Sequence, residues 1–384
     1  MIFLRITSWK LLAVFVAITS NLLSCTNKDS SNSKNNINPD IVHFVFVSDS
    51  HYGLFRQFNG QTRSAEYVNG EMLKVINSLP ENTLPQDGGV GENMQIRSIE
   101  MIVHGGDISN RQETGIQSAN VSWQQFQTSF IDKITVLNAK GAKPELYVMP
   151  GNHDVSNAIG FYRSMDPPTD ASSIAAIYNL MPNIKQTTTA EDYDYGKDKI
   201  HFAIERFNML ILFVNIWPGA SERMWMAEQM ERVPSTTPVV IFTHDPPNIE
   251  SKHLTNPTPP HTINGTDKYE NIIPDMPVRA GTTLDLQRDF ANFVQERPNI
   301  MAYFHGDENY NEFYVYTGPD NNIKLHTFRV DSPLKGNFSA NDESKLSFHV
   351  VSIDLSTMRM TVRECLWAHP DAPKWGQLKT ISLQ

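Results

Sequence analysis

Five short apolar runs in this chain end in side chains that can hold a metal ion. Phe44-Val45-Phe46-Val47 leads into Asp49-Ser50-His51, and Met101-Ile102-Val103 into Gly105-Gly106-Asp107. Leu146 to Met149 leads into Pro150-Gly151-Asn152-His153-Asp154. Val239 to Phe242 stops at His244, and Met301 to Phe304 at Gly306-Asp307-Glu308-Asn309. Polar groups at the mouth of a buried strand cost free energy unless something uses them. An Asx cap explains one such turn, not its repetition along the chain. The donors mix carboxylate, imidazole and amide oxygen, a set that suits Mn, Fe or Zn better than Ca, which prefers oxygen alone. They outnumber what one tetrahedral ion accepts, and a carboxylate such as Asp107 can bridge two ions. Two close cations clamp the attacking and leaving oxygens of an in-line displacement and generate hydroxide at neutral pH.

For these residues to meet, the strands must lie side by side with their carboxyl ends together, where parallel α/β sheets form their sites. Ile41 to Val47 is apolar enough for a strand covered on both faces. Ile99 to Val103 and Leu146 to Met149 read as the next strands. Between them, Ser122 to Ala139 places Phe126, Phe130, Ile134 and Leu137 at helical spacing, with Gly141 as its C-terminal stop. Strand, helix and strand in alternation predict parallel βαβ units. Phe55 to Gln95 is polar and broken at Gly88-Gly89-Val90-Gly91, with a short helix near Glu71 to Leu79; it reads as an insertion over the end of the first strand. Ala171 to Leu180 reads as helix, Tyr193 to Glu205 with Met209 to Ile216 as a hairpin, and Ser221 to Val233 as a helix packing Met224, Trp225 and Met230. Pro246 to Thr283 is a Pro/Asn/Thr-rich loop of a length that is usually functional. Leu284 to Val294 reads as helix. The runs Phe313 to Tyr316, Lys324 to Val330, Leu346 to Ile353 and Met358 to Cys365 are expected to form a second sheet packed on the first. There is no internal repeat.

The bulk numbers fit one large α/β domain with insertions: 384 residues, 43.5 kDa, 40% hydrophobic and 19% charged. A net charge of -10 without a Lys/Arg run argues against nucleic acid as a partner. At the N-terminus, Arg5 and Lys10 flank the short apolar stretch Leu11 to Ile18, and Leu22-Leu23-Ser24-Cys25 resembles a bacterial lipobox. Residues 1–25 are then a lipoprotein signal peptide, 26–40 a polar flexible tether, and 41–384 the folded domain. A lipid on Cys25 would hold the protein to a membrane of the bacterial cell envelope; the alternative is an ordinary cleaved signal with an incidental cysteine. With only Cys25 and Cys365 present, no disulfide framework is expected.

Asp-x-His at Asp49 and His51, Gly-Asp at Asp107, Gly-Asn-His-Asp from Gly151, the lone His244 and the turn at Gly306 come in an order that resembles the calcineurin-like metallophosphoesterase superfamily. The resemblance covers Ile41 to the Gly306 turn, and Trp225 with His244-Asp245-Pro246-Pro247 resembles the family's helix-then-His segment. It implies a four-layer αββα sandwich, two mixed sheets flanked by helices. It implies two divalent metal ions (Mn, Fe, Zn or Mg): one held by Asp49, His51 and Asp107, the other by Asp107, Asn152 and His244. His153 would be catalytic, stabilising the phosphorane or protonating the leaving oxygen. The implied activity is hydrolysis of a small phosphomonoester or phosphodiester by in-line attack of a metal-bridging hydroxide. The chain departs from the family where Asp307 and Asn309 replace the two histidines of the last motif. Asp307 is expected on the second metal and Asn309 as a weak ligand of the first, favouring harder ions. The same departure motivates the alternative of a degenerate family member acting as a binding protein. Asn110 stands where purple acid phosphatases carry a tyrosine ligand, which argues against their coloured iron site. His305 is expected to be a hydrogen-bonded strand-end histidine. His43, His104, His201, His326 and His349 are expected in core or rim positions, and Arg56, Arg63 and Arg163 as solvated arginines near the site.

Overall fold

The computed structural model describes residues 40–110, 117–155, 170–194, 197–250, 253, 283–369 and 372–384. The expected leader with Cys25, residues 26–39 of the tether, Arg163 and most of the Pro246–Thr283 loop lie outside the described residues. Strand β1 (Ile41–Val47) has the bounds its apolar run predicts. The chain continues through β2 (Phe55–Phe58), β3 (Gln61–Ser64), α1 (Ala65–Ser78), β4 (Met101–His104), α2 (Ala119–Phe126) and β5 (Glu145–Val148). Next come α3 (Ser172–Tyr178), β6 (Phe202–Arg206), β7 (Met209–Phe213), α4 (Ala220–Met230), β8 (Val239–Phe242), α5 (Thr283–Gln295) and β9 (Ile300–His305). The chain ends with β10 (Glu312–Tyr316), β11 (Leu325–Arg329), β12 (Ser347–Asp354), β13 (Arg359–Leu366) and β14 (Lys374–Ser382).

Two six-stranded mixed sheets result, ordered β14-β13-β12-β1-β4-β5 and β10-β11-β9-β8-β7-β6. In the first, β1, β4 and β5 are parallel; in the second, β7, β8, β9 and β11 are. Their facing sides share one aromatic core: Phe44 and Phe46 of β1 meet Phe242 of β8 and Phe304 of β9 at centroid distances of 5.5–6.3 Å. The expected architecture of two mixed sheets with flanking helices is what forms.

Several local expectations are corrected. The helix expected near Glu71 to Leu79 in the 55–95 insertion starts earlier and is longer. The insertion's hairpin leads into α1, capped by the Ser64 hydroxyl, which buries Val68, Met72, Leu73 and Ile76. Asn69 on that buried face donates to the Ser50 carbonyl at 2.9 Å and so braces the loop leaving β1. The helix expected over 122–139 stops early. It widens into a π-turn at Gln127–Ile131, after which Asn77 Oδ1 accepts the N–H groups of Thr135 and Val136 and draws them out of helical pairing. Ile134 and Val136 are buried all the same, so apolar spacing alone could not distinguish the two backbones. Gly141 closes a tight turn onto Asn138 rather than capping a helix. In α4, Met224 is exposed, whereas Glu222, Met226 and Met230, four residues apart, form the buried face. The C-terminal strands do not build one second sheet. β10 and β11 join β9, while β12 pairs antiparallel with β1 and carries β13 and β14 into the first sheet.

Candidate metal centre

Each motif residue lies just beyond a strand, where the backbone turns sharply. Asp49, His51, Asp107, Asp307 and Asn309 all have positive φ, between 40° and 66°. Such backbone is costly for residues with a Cβ, and it persists where the surrounding structure over-determines it. Here the loops are pinned to one another. Asp49 and His51 N–H groups donate to the Gly106 and Asp107 carbonyls at 2.9 Å, and Asp307 N–H donates across the sheets to Asp49 Oδ2 at 3.2 Å. Two glycines allow the approach. A Cβ at Gly151 would sit 2.2 Å from Asp107 Oδ1, and one at Gly306 would sit 2.3 Å from Asp49 Oδ2.

Asp107 is central. Its Oδ1 lies 3.4 Å from His244 Nε2, and its Oδ2 lies 3.7 Å from His51 Nε2 and 3.9 Å from His153 Nε2. His51 Nε2 is 3.6 Å from Asp49 Oδ1, and His244 Nε2 is 3.8 Å from Asp307 Oδ1 and 3.1 Å from Asn152 Oδ1. Most of these separations are too long for hydrogen bonds. They are close to the spacing of ligand atoms that each stand about 2 Å from a shared ion. Asp49 Oδ1 and His51 Nε2 are buried without a hydrogen-bond partner, a condition native interiors rarely tolerate. The donor set therefore fits divalent cations, and it can be grouped as Asp49, Asp107 and His244, or as His51, Asp107 and His153, with a further group of His244, Asp245 and Asp307. His244 Nδ1 donates to the Gly105 carbonyl at 2.8 Å. That bond fixes the ring so that Nε2 faces the carboxylates, the outer support a metal-binding imidazole needs. Asn309 lies beside His51 and donates from Nδ2 to the Asp307 carbonyl at 2.7 Å, which leaves Oδ1 buried and unpartnered.

The electrostatics show a site that demands positive charge. Burial raises the Asp49 carboxyl, and nearby Asp307 adds to the effect. Burial works against the His244 imidazolium, but Asp107, Asp49 and Asp307 outweigh it and hold its pKa well above the ordinary value. His51 and His153 go the other way: burial, then the Lys335 ammonium, pushes both well below theirs.

The expected residues thus converge, and three unforeseen ones join them. Lys335 Nζ stands 2.8 Å from His153 Nε2. Asp245 Oδ2 accepts from His253 Nδ1 at 2.8 Å, and His253 Nε2 lies 3.4 Å from Asn152 Nδ2. Asp245 could have been noticed as the neighbour of His244, but Lys335 and His253 carry no motif. His305 is a hydrogen-bonded strand-end histidine, held by the Gly306 carbonyl and the Tyr314 hydroxyl. His43, His104 and His349 are buried against Ser352, Ser50 and Asn311. His201 pairs with Glu222 and stacks on Trp225. Arg56 is not solvated. It is buried and donates to the Pro333 and Ser339 carbonyls, which tightens the loop that bears Lys335. Arg63 stacks on Tyr67.

A family model described as calcineurin-like phosphoesterase matches residues 42–308. No curated protein sequence matches the chain. Among solved structures, a dimetal phosphatase from Danio rerio is similar with a TM-score of 0.50 and 10% identity, over 89% of this chain and 99% of that one. A single mutant of Vps29 from Entamoeba histolytica has a TM-score of 0.31 and 9% identity, over 89% and 100% of the two chains. The phosphopantetheinyl hydrolase of Mycobacterium tuberculosis also has a TM-score of 0.31 and 9% identity, over 77% and 91%. At 10% identity, the likeness to the first is one of fold.

Proposed function

The chain belongs to the calcineurin-like phosphoesterase family, and from that premise we propose that it hydrolyses a small phosphate ester using two divalent cations. The observation that carries this reading is Asp107, a buried carboxylate with a separate imidazole set against each oxygen. In this reading Asp49, His51 and Asp107, with Asn309 as a weak donor, would hold one cation. Asp107, Asn152, His244 and Asp307 would hold the other. Such a pair of ions supplies Lewis acidity to the phosphoryl oxygens and acidifies water at neutral pH. His153 sits beside Asp107, its backbone N–H donating to Asp107 Oδ1 at 2.8 Å. Kept neutral by burial and Lys335, its imidazole suits hydrogen bonding to phosphoryl oxygen better than the role of an imidazolium acid. A carboxylate at Asp307, in place of an imidazole, biases the site towards harder ions such as Mn or Mg.

Metal analysis of the purified protein, combined with hydrolysis of p-nitrophenyl phosphate and bis(p-nitrophenyl) phosphate, tests the reading. About two cations per chain and turnover that chelation abolishes are expected. Two bound cations with no hydrolysis of either ester would favour the binding-protein alternative raised by Asp307 and Asn309. We also propose that Cys25 is the lipidated N-terminus of the mature protein and anchors it in the bacterial envelope. The support is the charged and apolar leader and the polar tether of the sequence. Mass spectrometry of the native protein should find a diacyl- or triacyl-cysteine at its first residue; an unmodified N-terminus elsewhere would refute the anchor.

A further inference from the structure

We propose that the cavity between residues 331–339 and strands β13 and β14 is a calcium site, with Asp331 as its principal ligand. The site is separate from the metal centre and does not depend on the phosphoesterase reading. The cavity measures about 280 Å³, and Asn311, Asp331, Lys345, Glu364 and Gln377 are among the residues that line it. Asp331 is 3% exposed, yet among the described residues neither of its carboxylate oxygens has a hydrogen-bond partner. Arg56 is near enough to be felt at Asp331, but its three nitrogens donate to the Gln57, Pro333 and Ser339 carbonyls. Lys345 turns its ammonium to Asp342, 3.9 Å away. A buried carboxylate in that condition is costly unless an ion takes it up.

The candidate donors around Asp331 are oxygens. A Cβ at Gly336 would sit 2.7 Å from Asp331 Oδ1 and 2.9 Å from the Ser332 carbonyl oxygen, with Ser339 Oγ closer still. Three oxygens of one loop thus converge where glycine leaves room for them. The Ser339 hydroxyl is close enough to act on Asp331, but it too is buried without a hydrogen bond. Glu364 brings a second carboxylate. Burial raises the Asp331 carboxyl and the Glu364 charge adds to the rise, while Glu364 Oε2 accepts the Gln377 N–H at 2.9 Å. The amides of Asn311 and Gln377, 3.3 Å apart, supply further oxygens to the wall. Such a set suits calcium, which takes roughly six to eight oxygens in a loose geometry and completes its shell with water. Without calcium, burial keeps a proton on Asp331 up to about 8, and the cation displaces that proton when it binds. Bound calcium would also stiffen the loop whose Ser332 Oγ donates to the Asp49 carbonyl at 2.9 Å.

The test uses the full chain in saturating Mn, titrated with calcium chloride by calorimetry, with Ca and Mn both counted by elemental analysis after equilibrium dialysis. The wild type should take up one calcium per chain with a Kd on the order of 10⁻⁴ M, as a site with few carboxylates does, and keep its Mn. Asp331→Asn preserves the shape of the side chain and removes its charge; it should weaken calcium binding by about 100-fold. Calcium should raise the melting temperature of the wild type and leave that of Asp331→Asn where it was, and melting in chelator shows that the variant folds. Should Asp331→Asn not fold, Glu364→Gln gives the second reading: it should weaken calcium about tenfold. No calcium uptake by the wild type, uptake that only replaces Mn, or an affinity unchanged in either variant would overturn the proposal.

Discussion

His153 and Asp331 show how burial sets the work of single residues. His153 presents Nε2 to Lys335 and lies 3.9 Å from Asp107 Oδ2. If it supports the transition state rather than a cation, His153→Ala should lower kcat by about 10²- to 10⁴-fold with metal content unchanged. Parallel loss of metal and turnover, measured by elemental analysis beside kinetics, would show a ligand instead. Asp331 precedes the Lys335 loop, and burial raises its carboxyl to about 8, with Ser339 and Arg56 pulling the other way. Between the ordinary value of 3.8 and about 8 the folded chain therefore binds a proton that the unfolded chain has released. Its contribution to stability is present below that window and lost as pH rises through it. Asp331→Asn should be more stable than wild type at pH 9, by roughly 1–3 kcal/mol, and should lose that advantage by about pH 4. Denaturant unfolding at several pH values measures the difference; a gap that does not change with pH would refute the assignment.

The loop ends depend on one internal tie at the scale of elements. Asp154 accepts the N–H groups of Gly151, Ile108 and Ser109 at 3.0–3.2 Å and the hydroxyls of Ser109 and Ser173 at 3.2 and 2.8 Å. It thereby joins the turns after β4 and β5 to the first turn of α3. It is fully buried, so its removal strands several donors at once. Asp154→Ala should cost on the order of 3 kcal/mol and loosen the turns that carry Asp107 and Asn152. Thermal unfolding should show a drop of several degrees, and metal affinity should fall with it. A variant with wild-type melting and metal binding would show that the turns hold without this carboxylate.

Over the whole molecule, the centre straddles both sheets. The first supplies Asp49, His51, Asp107, Asn152 and His153, and the second supplies His244, Asp307 and Asn309. Among the described residues the aromatic layer, loop hydrogen bonds such as Asp307 N–H to Asp49, and the Arg206 ion pairs with Glu100 and Glu145 bring the two sheets together. A cation bound between them acts as a further link that the unfolded chain cannot reproduce. Saturating Mn should therefore raise the melting temperature, with about 2.7 kcal/mol of added stability at a hundredfold excess over Kd. Calorimetry with metal and with chelator reads this directly, and equal melting in both would argue against a site shared by the two sheets.

The sequence by itself determined the strands that end in ligands and the types of those ligands, because both are local. An apolar run buried on two faces fixes β1 within its own residues, and a turn that bears Asp107 or Asn152 is written beside the strand it ends. It also showed, through Asp307 and Asn309, where the donor set departs from imidazole. What tertiary structure decided was pairing over distance. Nothing in the run around Val350 says that β12 will lie antiparallel to β1, since an apolar run does not name its partner strand. No spacing links Lys335 to His153 across 182 residues, or His253 to Asn152 across 101. Those contacts exist only once both sheets have closed on their shared aromatic face, because a side chain's neighbours across a fold are set by backbone geometry that its own segment does not encode.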